Sequence, residues 1–182
     1  MSEKLLNDGI IAAYTKRLEN MNKYKFTEKG DELYISTLVA EVEQIKDLHV
    51  KSNIGDISIE CDAPKDLGGS GNYSTAMKLL LASLANCLEI SGLLYFTFAN
   101  VKINSLKVKV EGTYDKRAVL NNKQAPLPGF YNYKITWYID SDEKLKKIQQ
   151  VLKKVERNCP VRGSLDRPHE FSEELVIVNK NE

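Results

Sequence analysis

The stretch LLLASLANCLEISGLLYF, residues 79–96, is the most apolar segment of the chain. Its spacing predicts a helix from Ser74, as the N-cap, to about Asn100, with apolar side chains on nearly every face. A helix of that kind lies either in a protein core or in a membrane. Asn86 and Glu89 interrupt it, and no apolar run approaches the roughly 18 residues that a membrane span requires. The sequence therefore predicts a buried central helix.

Three short segments before this helix alternate apolar and polar residues, as half-buried strands do. They follow an amphipathic helix that begins near Asn7 and a polar connector over residues 28–31, and strand character begins near Tyr34. The strands occupy residues 38–42, 48–52 and 57–61, and the last two flank a turn at 53–56. We expect an antiparallel meander with one buried face, which ends before Pro64 because proline lacks the amide that a ladder needs.

The segment after the central helix predicts two strands, a helix and a last strand. Residues 106–110 and 131–139 alternate like strands, residues 145–155 carry an apolar helical stripe, and residues 175–178 form a final apolar run. Asp140 and Glu143 have capping-box spacing at the start of that helix. Pro160 ends it at Cys159, since proline disfavours helical geometry in the preceding residue. The whole order predicts an α+β fold with antiparallel sheets around a long buried helix.

Composition and charge exclude several function classes. The chain has 182 residues, 42% hydrophobic and 28% charged, which is typical of one soluble globular domain. Its 26 Lys and Arg balance 25 Asp and Glu, which argues against a nucleic-acid partner. Three cysteines are too few for a disulfide scaffold, and the stretch MSEKLLNDGI lacks the features of a signal peptide. We expect a cytoplasmic protein with reduced thiols and no membrane partner.

The sequence predicts no metal or cofactor site. His49 and His169 form no close pair with a cysteine, and the motifs C-x-x-C and H-E-x-x-H are absent. The glycine-rich turn at 68–71 could offer free amides to a phosphate, but it lacks the ending of a P-loop, so a plain turn is the preferred interpretation. The lysines of residues 144–154 are interleaved with acidic residues, which favours a solvated helix face.

Cysteine is the one residue type left that could carry chemistry. Cys61 shares its strand parity with Ile57 and Ile59, so we interpret it as a packing residue. Cys87 lies in the middle of the central helix and Cys159 at the end of the later one. A cysteine on an apolar helix usually packs as a small hydrophobe, and the residues alone leave packing and chemistry open for these two.

Several segments, taken in order, carry the motifs of a known family. They are DAPKDLGG (62–69), LLLASLANC (79–87) and VERNCPV (155–161), with EGTYDKR (111–117) and PGF (128–130) between them. This chain resembles the OsmC/Ohr family, which comprises osmotically inducible protein C and organic hydroperoxide resistance proteins. The resemblance runs from about Leu38 to the C-terminus. It predicts an N-terminal helical extension over residues 1–30 and an OsmC-like α+β domain over residues 31–182.

The resemblance implies a function and an assembly. Family members form an intertwined homodimer, in which the counterparts of Cys87 and Cys159 meet. The first cysteine attacks the O–O bond of an organic hydroperoxide as a thiolate and becomes a sulfenic acid. The second cysteine converts it to a disulfide, which an external dithiol reductant reopens. The expected protein is thus a peroxidase with Cys87 and Cys159 as its catalytic residues and no cofactor.

Two positions depart from the family pattern. Ala76 and Met77 stand where members typically have Pro-Glu, and that glutamate holds an arginine from the meander, which here has none. Burial without a positive neighbour disfavours a thiolate. Arg117 and Arg162 are the candidates for a replacement. The alternative hypothesis is therefore a non-peroxidase OsmC-like dimer that binds a small hydrophobic ligand or acts as a slow thiol redox sensor.

Overall fold

The structure is a computed structural model that describes residues 5–177. The described residues form five helices and five strands, together with 3-10 turns at Lys65–Leu67 and Lys116–Val119. In chain order they are α1 (Asp8–Tyr24), α2 (Glu28–Tyr34), β1 (Glu41–Lys46), β2 (His49–Ile54), β3 (Ile57–Cys61), α3 (Ala76–Phe98), β4 (Ser105–Tyr114), β5 (Phe130–Asp140), α4 (Leu145–Asn158) and α5 (Pro160–Leu165).

The strands form two separate antiparallel sheets, one of β1-β2-β3 and one of β4-β5. The predicted meander is present, with a tight turn at Gly55, whose φ of 57° favours glycine. In the second sheet Val108 lies opposite Trp137 and Val110 opposite Ile135, so the apolar positions of both strands share one face. The predicted α+β class with antiparallel sheets and a long central helix is confirmed.

Helix α3 packs against β4, α4 and α5. Its buried residues recur every fourth position and form one stripe, namely Leu84, Leu88, Gly92 and Phe96. Gly92 allows the sheet to approach, because a Cβ at this position would lie 2.7 Å from the Leu106 side chain. Length and composition alone would let α3 cross a membrane, but this packing makes it a core helix. Among the residues of α3, only that stripe is fully buried, and Ile90 on another face is 59% exposed.

The central helix starts one residue later than the predicted N-cap implies. Thr75 is the N-cap, and its hydroxyl accepts a hydrogen bond from the Lys78 N–H at 3.4 Å. Ser74 instead belongs to the meander, since its carbonyl accepts the Asp62 N–H at 3.1 Å. A competing strand contact therefore decides which of two adjacent hydroxyl residues caps the helix.

Three further predictions are wrong in detail, and a fourth is incomplete. The polar connector is helix α2, capped by the Thr27 hydroxyl, and the first strand begins at Glu41 rather than near Tyr34. Asp140 ends β5, and α4 starts after Lys144 with no side-chain cap. Pro160 ends α4 but also opens α5, because its fixed φ suits the first position of a helix.

The last predicted strand is absent over residues 171–177, which carry no regular structure, and Val178 lies outside the described residues. The side chains of Leu175, Val176 and Ile177 are 70–85% exposed. A strand forms only by pairing with another strand, and no strand of residues 5–177 pairs with this segment.

The meander leaves one apolar face uncovered. Val42 and Ile59 both align with Ser52, and Ile54 lies opposite Ile57, so these residues share a face of the sheet. Ile57 is 68% exposed and Val42 61%. The sequence predicts burial for this face, but nothing in residues 5–177 covers it.

Candidate functional site

The site lies where the corner between α4 and α5 meets the middle of α3. Cys87 belongs to α3, and Cys159 is the single extended residue that separates α4 from α5. Both α4 and α5 pack on α3, which brings the corner against the helix. The two sulfur atoms are 3.1 Å apart although 72 residues separate them in sequence, and both are free thiols.

The two thiols differ in access to solvent. Cys159 is only 1% exposed and belongs to the core cluster with Leu84, Leu88 and Val155. Cys87 is half-buried and packs against the same cluster from its edge. A small molecule that reaches the pair therefore meets the Cys87 sulfur first.

Protonation distinguishes Cys159 further. Burial raises the pKa of its thiol to about 11, because a thiolate there would lose its hydration. The backbone N–H groups of Arg162 and Val161 at the start of α5 oppose the rise in this pKa, whereas the contact with Cys87 adds to it. At neutral pH Cys159 is consequently a protonated thiol.

The arrangement suits reversible disulfide chemistry. A disulfide needs an S–S distance near 2.05 Å, so the sulfurs have to approach by about 1 Å from their separation of 3.1 Å. Cys159 is the only residue between α4 and α5, so the junction of these two helices sets the position of its sulfur beside Cys87.

Neither candidate arginine donates to a cysteine sulfur through its guanidinium within the described residues. The Arg117 guanidinium is held by the Asp115 carboxylate at 2.6 Å and lowers the pKa of that carboxyl to about 2. The Arg162 guanidinium contacts Glu156 at 3.4 Å and Asp166 at 3.2 Å. Each of the two guanidinium groups already has a carboxylate partner, so within residues 5–177 neither Arg117 nor Arg162 takes the place of the family's arginine.

The other residues considered in the sequence lie elsewhere. Cys61 ends β3 opposite Val50 and is buried at 9% exposure, as expected of a packing residue. His49 pairs with Glu60 at 2.9 Å, and the His169 ring contacts the Ser164 carbonyl at 2.6 Å. Within residues 5–177, no group of three or more His, Cys, Asp or Glu side chains is placed to hold a metal ion.

The glycine-rich turn is already occupied by a carboxylate. Asp62 is buried and accepts the Ser70 N–H at 2.6 Å and the Ser70 hydroxyl at 2.7 Å, which lowers its pKa. Gly69 faces the Ala63 carbonyl so closely that a Cβ there would clash with backbone. The interpretation as a plain turn therefore fits the structure better than a phosphate site does.

Sequence reasoning missed two groups around the thiols. The backbone amides of Val161 and Arg162 lie near the Cys159 thiol because α5 begins there. The sequence signal for α5 was Pro160, since proline is favoured at the first position of a helix. The Glu89 carboxyl, two residues after Cys87, accepts the Val108 N–H, and burial raises its pKa. Glu89 thus fastens α3 to β4 rather than facing solvent.

Comparison with known proteins places this geometry in a family. The model of the OsmC-like proteins matches residues 69–174, more than half of the chain. No curated protein matches the sequence. Among solved structures, 36 chains match.

Three of these structures illustrate the likeness in fold. An OsmC-like protein from Mycoplasma pneumoniae is 20% identical with a TM-score of 0.61, over 72% of this chain and 88% of that one. An organic hydroperoxide resistance protein from Elizabethkingia anophelis is 22% identical with a TM-score of 0.53, over 71% and 88% of the two chains. An organic hydroperoxide resistance protein OsmC from Legionella pneumophila is 17% identical with a TM-score of 0.53, over 72% and 90%. With the family model covering both cysteines, this chain belongs to the OsmC-like protein family.

Proposed function

We propose that the protein is a thiol-dependent peroxidase that reduces organic hydroperoxides through Cys87 and Cys159. The observation that carries the proposal is the 3.1 Å separation of two free thiols at the edge of an apolar core. Family membership supports it, since two of the similar structures are organic hydroperoxide resistance proteins. A pair that is oxidised and reduced in turn needs a reducing compartment, so we also propose a cytoplasmic location.

Access assigns the roles of the two cysteines. Cys87, the more accessible sulfur, attacks the terminal oxygen of R–O–O–H as a thiolate. The O–O bond breaks, Cys87 becomes a sulfenic acid, and the alkoxide leaves and takes up a proton as the alcohol. Cys159 then attacks the Cys87 sulfur and expels hydroxide, which leaves as water with the Cys159 proton. The resulting disulfide accepts two electrons from an external dithiol, which itself becomes a disulfide.

The surroundings of the pair favour an organic substrate. Leu84, Leu88 and Val155 form the core against which both cysteines pack. An apolar wall stabilises an alkyl or aryl group and offers little to hydrogen peroxide. Met77 in the place of the family's glutamate adds apolar surface at the start of α3.

The assay that tests this function mixes reduced protein with cumene hydroperoxide and dithiothreitol. We expect continuous consumption of the hydroperoxide, faster than that of hydrogen peroxide at equal concentration. Without dithiothreitol, each chain should lose two of its three thiols, and mass mapping should find Cys87 linked to Cys159. Consumption no faster than in a protein-free mixture would contradict the peroxidase.

A homodimer is the second part of the proposal. The uncovered apolar face of β1–β3, with Val42, Ile57 and Ile59, requires a partner surface, and a second copy supplies one. Light scattering should give twice the chain mass of 20.6 kDa. Ile57→Glu places a charge on this face and should yield monomers.

The matched control for the dimer is Ser58→Glu, which puts the same charge on the opposite face of the same strand. It should leave the dimer intact. Wild-type protein that stays monomeric at micromolar concentration, or equal effects of the two substitutions, would refute this interface.

One observation favours a second candidate function, a slow thiol sensor or a binder of small hydrophobic molecules in the same dimer. The glutamate of the family is absent, and Arg117 and Arg162 are engaged by carboxylates. A sensor would form the Cys87–Cys159 disulfide without sustained turnover in the cumene hydroperoxide assay. A binder would gain thermal stability from a hydrophobic ligand and keep both thiols reduced.

A further inference from the structure

We propose that Cys159 acts before any disulfide forms: its S–H group donates a hydrogen bond to the Cys87 sulfur and thereby stabilises the Cys87 thiolate. In this role the second cysteine supplies the donor that an arginine provides elsewhere in the family. The inference rests on the proposed function only in giving Cys87 the attacking role.

The direction of the hydrogen bond follows from the surroundings of Cys159. Its sulfur is 1% exposed and lies 3.1 Å from that of Cys87, with Cys159 as the donor. The backbone N–H groups of Val161 and Arg162 at the start of α5 lower the pKa of the same thiol and so act on its lone pairs, which leaves its proton for Cys87. Burial keeps that proton in place, because it raises the pKa of Cys159 to about 11.

Charged side chains from the neighbouring elements are engaged with one another. On α4 and α5, Glu156 and Asp166 bind the Arg162 guanidinium. On α3, Glu89 accepts a backbone N–H of β4. On β4, Lys109 pairs with Glu111 on the exposed face of the strand. Within residues 5–177, the Cys159 thiol is therefore the one hydrogen-bond donor directed at the Cys87 sulfur.

A hydrogen bond to an ionised sulfur is stronger than one to a neutral sulfur, so it shifts the balance towards the thiolate. Its loss should reduce the thiolate fraction of Cys87 at neutral pH by about tenfold. The reactivity of Cys87 towards an alkylating agent falls in the same proportion, because the thiolate is the reacting species.

The test compares Cys159→Ser, which keeps a donor, with Cys159→Ala, which removes it. Both variants lack the resolving thiol, so they differ in the donor alone. The rate of Cys87 alkylation by iodoacetamide is measured at about pH 7 and about pH 10, with peptide mass mapping to separate Cys87 from Cys61. At the lower pH we expect Cys159→Ser to lie within about threefold of wild type and Cys159→Ala to be about tenfold slower. At the higher pH the two variants should converge.

Two results would overturn the proposal. Equal rates of the two variants at neutral pH would show that the donor has no effect. A deficit of Cys159→Ala that persists unchanged at alkaline pH would show that packing or access is altered rather than ionisation. Since the reaction contains no hydroperoxide, its outcome is independent of whether the protein turns over cumene hydroperoxide.

Discussion

The Cys87→Ser protein is expected to lose hydroperoxide turnover by about a hundredfold or more. A serine hydroxyl stays un-ionised at neutral pH and is a far weaker nucleophile than a thiolate, while its size lets the core pack as before. Cumene hydroperoxide consumption with dithiothreitol measures the loss. Cys159 remains in this variant and should stay reduced, because no sulfenic acid forms for it to attack.

The matched control is Cys61→Ala, which removes the third thiol from the end of β3. Its sulfur makes no hydrogen bond with the cysteine pair in the described part of the chain. Turnover should stay within about twofold of wild type, since a cysteine that only packs contributes little to chemistry. A Cys61→Ala enzyme as inactive as Cys87→Ser would mean that the assignment of the pair is wrong.

Phe96→Ala is expected to lower the free energy of unfolding by about 3–5 kcal/mol, because it leaves a cavity in the hydrophobic core cluster. Phe96 is 1% exposed and ends the buried stripe of α3 beside Val101 and Ile103. Urea unfolding measures the change, at one fixed protomer concentration because assembly adds to apparent stability.

Phe98→Ala removes the same side chain two residues further along the same helix. Phe98 is 42% exposed and contacts the Tyr14 ring of α1 at a centroid distance of 5.3 Å. The loss of this ring should lower the free energy of unfolding by about 1 kcal/mol. Similar decreases in the free energy of unfolding for both variants would contradict the assignment of the core to one stripe of α3.

The apolar periodicity of the sequence predicts those helices and strands that pack against elements close to them in the chain. The alternation in β2, β3, β4 and β5 and the apolar run of α3 all lie where the structure has them. Helix α2 escapes detection because its seven residues carry too few apolar side chains to show a period. The final strand is predicted from apolar content alone, and content does not reveal whether the segment pairs with another strand, which it does not do within residues 5–177.

The functional site could be predicted from the sequence only in part, and for a different reason. Residue motifs identify Cys87 and Cys159 as a pair only through the family, since periodicity makes each a plausible core residue. Their proximity depends on how α4 and α5 pack on α3, which is a tertiary contact. The backbone N–H groups near Cys159 belong to α5. The interpretation of Pro160 as a helix end alone did not predict this helix.

Cys87 and Cys159 are 72 positions apart, and the segment between them holds most of the elements that build the core. A disulfide across this span would close a loop in the unfolded chain and so reduce its conformational entropy. By loop-closure entropy this would stabilise the folded state by about 4 kcal/mol. The oxidised, cross-linked protein would then have a higher free energy of unfolding than the reduced protein. Each reduction would return the protein to its more readily unfolded form, so the redox state of the cell would also set the lifetime of the fold.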